Sequence, residues 1–338
     1  MIERLQVRGF KSLLDVDVRL GPLTVFVGAN GSGKTSVLEA IALFRDTLSG
    51  PILDYPSWVE RLRCRQGTNP SISIEVELVY DDWANRLQLE LLGDEGPRLT
   101  SGTKDDKQSF AITKTFAQRF AMFRLDASAM ARPTYSEELE PRLAYDGENL
   151  AAVLDSLQGT HRERFDEIER RMQSLVPPLR RLRVPRAKRG NLVGHQVAFD
   201  FEHATDIRAD DASEGTLLLL GLLTIIESNP SEQPMTIMLD DLDRALHPKA
   251  QRELVGYLHE LIRTRPNLQI LATTHSPYLV EHLEFEEVRA ITQAPDGTSV
   301  IGSLTDHPQA AQWREEMSAG EFWSAVGESW VIDERPTT

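Results

Sequence analysis

Apolar and polar positions change period several times along the chain. In the first 27 residues, RLQVRGF (4–10) and DVDVRL (15–20) alternate as half-buried strands do, and they lead into LTVFV (23–27), a continuous apolar run that reads as a buried strand. The period then becomes helical, with Val37, Leu38, Ile41, Phe44 and Leu48 on one face. From 71 to 125 the text is strand-like again: SISIEVELVY, RLQLELL, SFAITKTF and FAMFRL, separated by polar turns, predict an antiparallel β insert. Between 147 and 176 a helical face carries Phe165, Ile168, Met172 and Leu175, too short for a long coiled coil, and Pro177-Pro178 ends it. The apolar run LLLLGLLTII (217–226) reads as a buried helix. Beyond it, MTIML (235–239), a helix over 249–265 through Ala250, Leu254, Leu258 and Leu261, and LQILAT (268–273) alternate in the way that builds a parallel sheet. No fixed-period repeat interrupts this order.

At the first change of period, between buried strand and helix, stands GANGSGKT (28–35), which fits G-x-x-x-x-G-K-[ST] at Gly28, Gly33, Lys34 and Thr35. Glycines let successive backbone N–H groups curl around a phosphate with no side chain in the way, and the following helix aims its N-terminal dipole at the anion. Asn30, Gly31, Ser32, Gly33, Lys34, Thr35 and Ser36 are the candidate phosphate ligands. Lys34 would bring an ammonium to the β- and γ-phosphates of a nucleotide, and the Thr35 hydroxyl would ligate Mg2+. A plain glycine-rich turn is the alternative, and the flanking strand and helix argue against it.

A phosphate loop needs partners to become a hydrolase. TIMLDDLD (236–243) is an apolar strand ending in paired carboxylates. Asp240 would hold the magnesium through a water and Asp241 would orient or deprotonate the attacking water; solvated acids closing a strand are the alternative. LATTHSP places His275 just past another buried strand, so Lys34, Asp240 and His275 all fall at carboxyl ends of predicted parallel strands, where ligands of open α/β sheets bind. In ASEGTLLLL, Ser213, the backbone around Gly215 and the start of the apolar helix would form a second anion-binding concavity, or simply an N-cap.

Charge and composition narrow the setting. The chain has 338 residues, 41% hydrophobic and 26% charged, as a globular protein of one large or two modest domains would have. One cysteine, Cys64, allows no internal disulfide and suits a reducing compartment, so a cytoplasmic protein is expected. The charged N-terminus lacks a signal-peptide core and no apolar run is long enough to span a bilayer, so no membrane partner is expected. Net charge is −15, which repels nucleic acid at long range. PPLRRLRVPRAKRG (177–190) is the local exception, with Arg180, Arg181, Arg183, Arg186, Lys188 and Arg189. That strip can follow the phosphates of DNA, form a solvated strand edge, or meet an acidic partner. Three of the five tryptophans, Trp313, Trp323 and Trp330, crowd the tail, where Phe322, Val326 and Trp330 recur at helical spacing; core packing and a docking surface for an effector protein are both open. Glu281, Glu284, Glu286 and Glu287 read as a solvated helix or loop rather than a nuclease site, and no Asn-Lys-x-Asp string marks a GTPase.

Phosphate loop, Ser-x-Gly signature, strand-terminal acids and a late histidine, in that order, resemble the ABC-type ATPases of the RecF, SMC and OLD branch. Within it, GFKSLLDVDVRLGPLTVFVGANGSGKTSVLEAI, FRLD, YDGENLAAVLDSL, SEGTLLLLGLL, LDDLDRALHP and ATTHSPYLVEHL are similar to the stand-alone AAA-type predicted ATPases, over most of the chain. The resemblance implies an α/β fold: a P-loop ABC-type ATPase head with a mixed sheet, an antiparallel β insert and an α-helical signature lobe. It would be a single domain, with 1–130 and 231–338 as the nucleotide-binding lobe and 131–230 as the signature lobe. It also implies a head-to-tail homodimer in which ATP and Mg2+ held by Lys34, Thr35 and Asp240 of one protomer are capped by Ser213 of the other, with His275 at the γ-phosphate or water and Asp243 near the seam. Genome maintenance or defence against phage or plasmids is the implied setting, with any nuclease or toxin effector on a separate chain. The family commonly carries Glu where this chain has Asp241, and a carboxylate shorter by about 1.5 Å predicts slow turnover. An ATP-locked scaffold that holds a partner with little hydrolysis is the second reading. A transporter subunit is disfavoured by the ASEGT signature and the large β insert.

Overall fold

The computed structural model describes residues 1–49, 55–66, 71–80, 83–92, 96–101, 115, 119–135, 138–228 and 234–333. The chain forms two compact units: one from Met1–Met122, Ser231–Leu242 and Val255–Thr338, the other from Phe123–Pro230 and Asp243–Leu254.

The first unit holds two sheets. Strands β1 (Ile2–Phe10), β2 (Leu13–Arg19), β4 (Ser71–Tyr80), β5 (Trp83–Leu92) and β6 (Gly96–Ser101) form an antiparallel sheet in the order β2-β1-β4-β5-β6. Its alternation is clean: Ile72, Ile74, Val76 and Leu78 are buried, while the acids between them face cross-strand cations, as Glu77 does Arg86. The second sheet runs β16-β15-β3-β14-β13-β7, from β16 (Ser299–Ser303), β15 (Val288–Gln293), β3 (Leu23–Val27), β14 (Leu268–Thr274), β13 (Met235–Leu239) and β7 (Phe120–Phe123). Strands β13, β14, β3 and β15 are parallel, and β3 and β14 are buried at every position, hence their unbroken apolar text.

Helix α1 (Lys34–Ser49) buries Val37, Leu38, Ile41, Phe44 and Leu48 in one cluster with Phe26, Met238 and Leu271 and with Leu5, Val7 and Ile74 of the antiparallel sheet. Each such side chain contributes about 1.5–3 kcal/mol. Gln269, fully buried on β14, satisfies its whole amide: Nε2 donates to Ile2 O (2.7 Å) and Gly21 O (3.0 Å), and Oε1 accepts from Ile2 N (2.9 Å) and Thr236 Oγ1 (3.1 Å). It stitches the two sheets together. Helix α2 (Tyr55–Leu62) and the tail, α8 (Pro277–Val280), α9 (Ala310–Trp313), α10 (Ala319–Val326) and α11 (Trp330–Asp333), complete this unit. Helix α7 (Pro248–Thr264) belongs in part to each unit.

The second unit combines α3 (Ala127–Met130), α4 (Leu150–Thr160), α5 (Arg162–Leu175) and α6 (Glu214–Glu227) with a three-stranded sheet of β12 (Ala204–Arg208), β11 (Ala198–Phe201) and β8 (Leu179–Arg183). A separate hairpin pairs β9 (Arg186–Arg189) with β10 (Leu192–His195). Helix α6 is buried from Thr216 to Glu227, and apart from Thr216, Thr224 and Glu227 the stretch is aliphatic or glycine, as a helix packed on all sides requires.

The structure corrects several expectations. FAMF belongs to the mixed sheet beside β13, not to the antiparallel insert, since strand partnership is a long-range choice that local text does not encode. Of SFAITKTF, all but Thr115 lies outside the described residues. The helical stretch 147–176 is two helices, broken at His161. The tail spacing of Phe322, Val326 and Trp330 is not one helix, because α10 ends at Gly327, whose φ of 64° and ψ of −152° form a conformation open mainly to glycine. Trp323 and Trp330 are buried, their indoles donating to Glu328 Oε1 (3.0 Å) and Gly327 O (3.1 Å), so core packing accounts for both.

Candidate functional site

Strand register sets the site. Val27 pairs with Thr274 and Leu239 with Ala272, so the phosphate loop after β3, the acids after β13 and His275 after β14 leave the sheet along one carboxyl edge. His275 is exposed there.

The loop is held from beneath. Gly28 (φ 147°), Gly31 (φ 80°) and Gly33 (φ 107°) all occupy conformations that L side chains rarely adopt. A Cβ on Gly28 would overlap the Ile291 carbonyl oxygen of β15, and one on Gly33 would overlap the Ser299 hydroxyl of β16. Ser299 Oγ lies 2.6 Å from Ser32 O and 2.7 Å from Ser12 Oγ, donating to the carbonyl and accepting from the hydroxyl, and Gln293 Nε2 donates to Gly31 O (2.9 Å). Lys34 is only 7% exposed; its ammonium donates to Gly28 O (2.7 Å) and Ala29 O (2.9 Å), drawing the loop into a ring. Ser32 Oγ is buried with no hydrogen-bond partner among the described residues. A buried cation, an orphan hydroxyl and three glycines at the head of a 16-residue helix fit a bound polyphosphate. Asn30 is exposed and Ser36 half-buried on the same loop and first helical turn.

The acids are joined to the loop. Asp240 is 5% exposed, and its Oδ1 accepts from Thr35 Oγ1 (2.9 Å) and from Thr273 Oγ1 (2.7 Å). Asp241 is half-buried at φ 57°, its N–H donating to Thr273 Oγ1 (2.9 Å). The hydroxyl and carboxylate of Thr35 and Asp240 are hard oxygen donors suited to Mg2+, which keeps most of its waters and needs few protein ligands. Thr273, Ser12, Ser299 and Gln293 escaped the sequence reading. Thr273 sits in an apolar strand text where a β-branched residue draws no notice; Ser299 and Gln293 reach the loop from far along the chain, and Ser12 joins it through Ser299.

The signature residues lie in the second unit. Ser213 is the exposed N-cap of α6, accepting from Thr216 N (3.2 Å) and bonded to Thr216 Oγ1 (2.7 Å). Gly215 passes so close to Ala245 that a Cβ would stand 2.8 Å from its carbonyl oxygen. Asp243, in the same unit, is buried, and its carbonyl accepts from Leu246 N (3.1 Å). The basic strip 177–190 divides in two. Arg180 pairs with Glu202 (3.0 Å) and Arg183 with Asp200 (2.7 Å) and Asp206 (2.8 Å) in the three-stranded sheet; the Asp206 N–H, which donates to Asp200 Oδ1 (2.8 Å), and after it the Arg183 guanidinium hold the Asp200 carboxyl below its ordinary range. Arg186, Lys188 and Arg189 stand exposed on the β9–β10 hairpin.

A mixed sheet bearing a phosphate loop, strand-end acids and a late histidine along one edge is the head of an ABC-type ATPase of the RecF, SMC and OLD branch. The family model described as "AAA domain, putative AbiEii toxin, Type IV TA system" matches residues 23–281, more than half of the chain, and the chain belongs to that family. It is 25% identical over 359 residues to an OLD nuclease of Thermus scotoductus, covering 92% of this chain and 66% of that protein. It is also 28% identical over 102 residues to the probable ATPase of retron Vc95 from Vibrio cholerae, covering 27% of this chain and 19% of the relative. The chain thus spans less than two thirds of the length of either relative. Among solved structures, an SMC head bound to the C-terminal winged-helix domain of ScpA superposes with a TM-score of 0.64 over 92% of this chain and 99% of that one, at 15% identity, a likeness of fold. Among the described residues no helix is long and apolar enough to cross a membrane.

Proposed function

We propose that the protein binds and slowly hydrolyses ATP as a nucleotide-gated, head-to-tail homodimer in the cytoplasm, in genome maintenance or in defence against phage or plasmids, with its effector on a separate chain. The observation that carries the reading is the link Lys34 loop–Thr35–Asp240–Thr273 along one sheet edge. Lys34 and the loop N–H groups, from Asn30 to Ser36, hold the phosphates, and Thr35 and Asp240 hold the metal. Magnesium, when bound, would supply charge neutralisation at the phosphates. Asp241 orients the attacking water and His275 contacts the γ-phosphate or that water. Ser213 and the N–H groups near Gly215, from the partner protomer, complete the cradle, so that contact with the γ-phosphate couples nucleotide state to closure. The two units act as the nucleotide-binding and signature lobes of one head. The names of the OLD and retron relatives support the defence setting.

Light scattering tests the gate. Asp241→Asn protein with MgATP is expected to elute as a dimer and, without nucleotide, as a monomer; adding Ser213→Arg is expected to abolish the ATP-dependent dimer. A nucleotide-independent mass in both proteins sinks the gated dimer. If the dimer tracks DNA, the exposed cations of the β9–β10 hairpin carry the contact. The double variant Lys188→Glu, Arg189→Glu should then weaken salt-sensitive duplex binding by about tenfold or more. Affinity equal to wild type at every salt concentration dismisses that role.

A further inference from the structure

We propose that Thr273 is a positioning residue for hydrolysis, setting both acids at the end of β13 with one hydroxyl; this rests on the ATPase reading above. Thr273 is fully buried on β14, where a valine would be the ordinary occupant. A buried threonine can satisfy itself on a neighbouring backbone carbonyl. This one instead gives its proton to Asp240 Oδ1 (2.7 Å) and its lone pair to the Asp241 N–H (2.9 Å), while its own carbonyl accepts from Leu242 N (3.0 Å). Three consecutive residues, 240 to 242, are therefore tied to one residue of the neighbouring strand.

The tie has chemical consequences at both acids. At Asp240 it selects the carboxylate rotamer through a bond to a charged acceptor, the stronger kind of hydrogen bond. Thr35 makes a second bond to the same oxygen, but from the phosphate loop, whose hydroxyl is the one assigned to the metal. Thr273 belongs to a central strand, so its hold on Asp240 does not depend on the state of the loop. At Asp241 the tie holds a left-handed backbone, φ 57°, uncommon outside glycine, through the bond from its N–H to Thr273 Oγ1. The direction in which the Asp241 carboxylate leaves the backbone is set at that residue, so the hydroxyl of Thr273 aims that side chain through the backbone N–H.

Thr273→Val keeps the shape and removes the hydroxyl; Thr273→Ser keeps the hydroxyl. The valine variant is expected to lose at least about tenfold in kcat, with KM for ATP within about threefold of wild type and a raised magnesium concentration for half-maximal rate. In nucleotide-free protein its Asp241 amide should exchange with deuterium faster than in wild type. The serine variant should restore both rate and protection. A valine variant with wild-type kcat and unchanged Asp241 exchange overturns the proposal. Should the valine protein fail to fold, Thr273→Cys, of similar volume and with only a weak donor, takes its place under the same criteria. If wild-type protein neither binds nor hydrolyses ATP, the ATPase reading itself falls and takes the positioning role with it; an active wild type with an equally active variant removes the positioning role alone.

Discussion

Lys34→Ala is expected to remove ATP binding and hydrolysis together, with kcat/KM falling by about two orders of magnitude or more. The side chain is buried, and its ammonium is fixed by two loop carbonyls at the point where the chain curls, so the positive charge is already in place before a phosphate arrives. Preorganised charge in a partly dehydrated site is worth far more than the same charge in water. The variant also loses the bonds that close the loop, which should cost about 1–2 kcal/mol of stability. Two measurements separate these effects: the melting temperature without nucleotide reports the loop, and the further rise on adding MgATP reports binding. Lys34→Arg should not rescue, because a planar guanidinium cannot reproduce the compact ammonium between two carbonyls. Hydrolysis by Lys34→Ala at the wild-type rate would place the nucleotide elsewhere.

Gly28→Ala should be the most damaging single-methyl change in the loop. Its φ of 147° lies in a region open in practice to glycine alone, and the added carbon would overlap the Ile291 carbonyl oxygen, which β15 cannot withdraw without leaving β3. A loss of about 2–4 kcal/mol is expected, together with weakened nucleotide binding. Gly31→Ala is the control: φ is also positive, 80°, but nothing stands within 4 Å of the new carbon, so it should cost only about 1–2 kcal/mol. Urea denaturation of the two variants checks the difference. Equal midpoints would show that β15 does not brace the loop.

Local text was enough wherever an element is defined by a short stretch of its own residues. LTVFV, SISIEVELVY and MTIML are strands β3, β4 and β13 to the residue, since each is an apolar or alternating run with polar punctuation at both ends. Glycine-rich loop, acid pair and late histidine could be found because each is compressed into a few adjacent letters. What stayed hidden is what depends on distant partners. The bracing of the loop by Ser12, Gln293 and Ser299 joins residues more than 260 positions apart, and no periodicity announces it. Strands β8 to β12 have only four or five residues each, too few for an alternation to stand out from a basic, polar background. The basic strip looked continuous because sequence shows the arginines together but not the carboxylates of Asp200, Glu202 and Asp206 folded back onto two of them.

The left-handed turn at residue 241 bears on why an aspartate stands there. Aspartate and asparagine are the non-glycine side chains best suited to that backbone region, because a short polar group bonds locally; glutamate lacks that advantage. Asp241→Glu would therefore regain reach toward a water while fitting its own backbone less well. In the dimer proposed above, a residue that settles the turn and underreaches the reaction would make the closed state a clock with a long dwell time, set by one methylene.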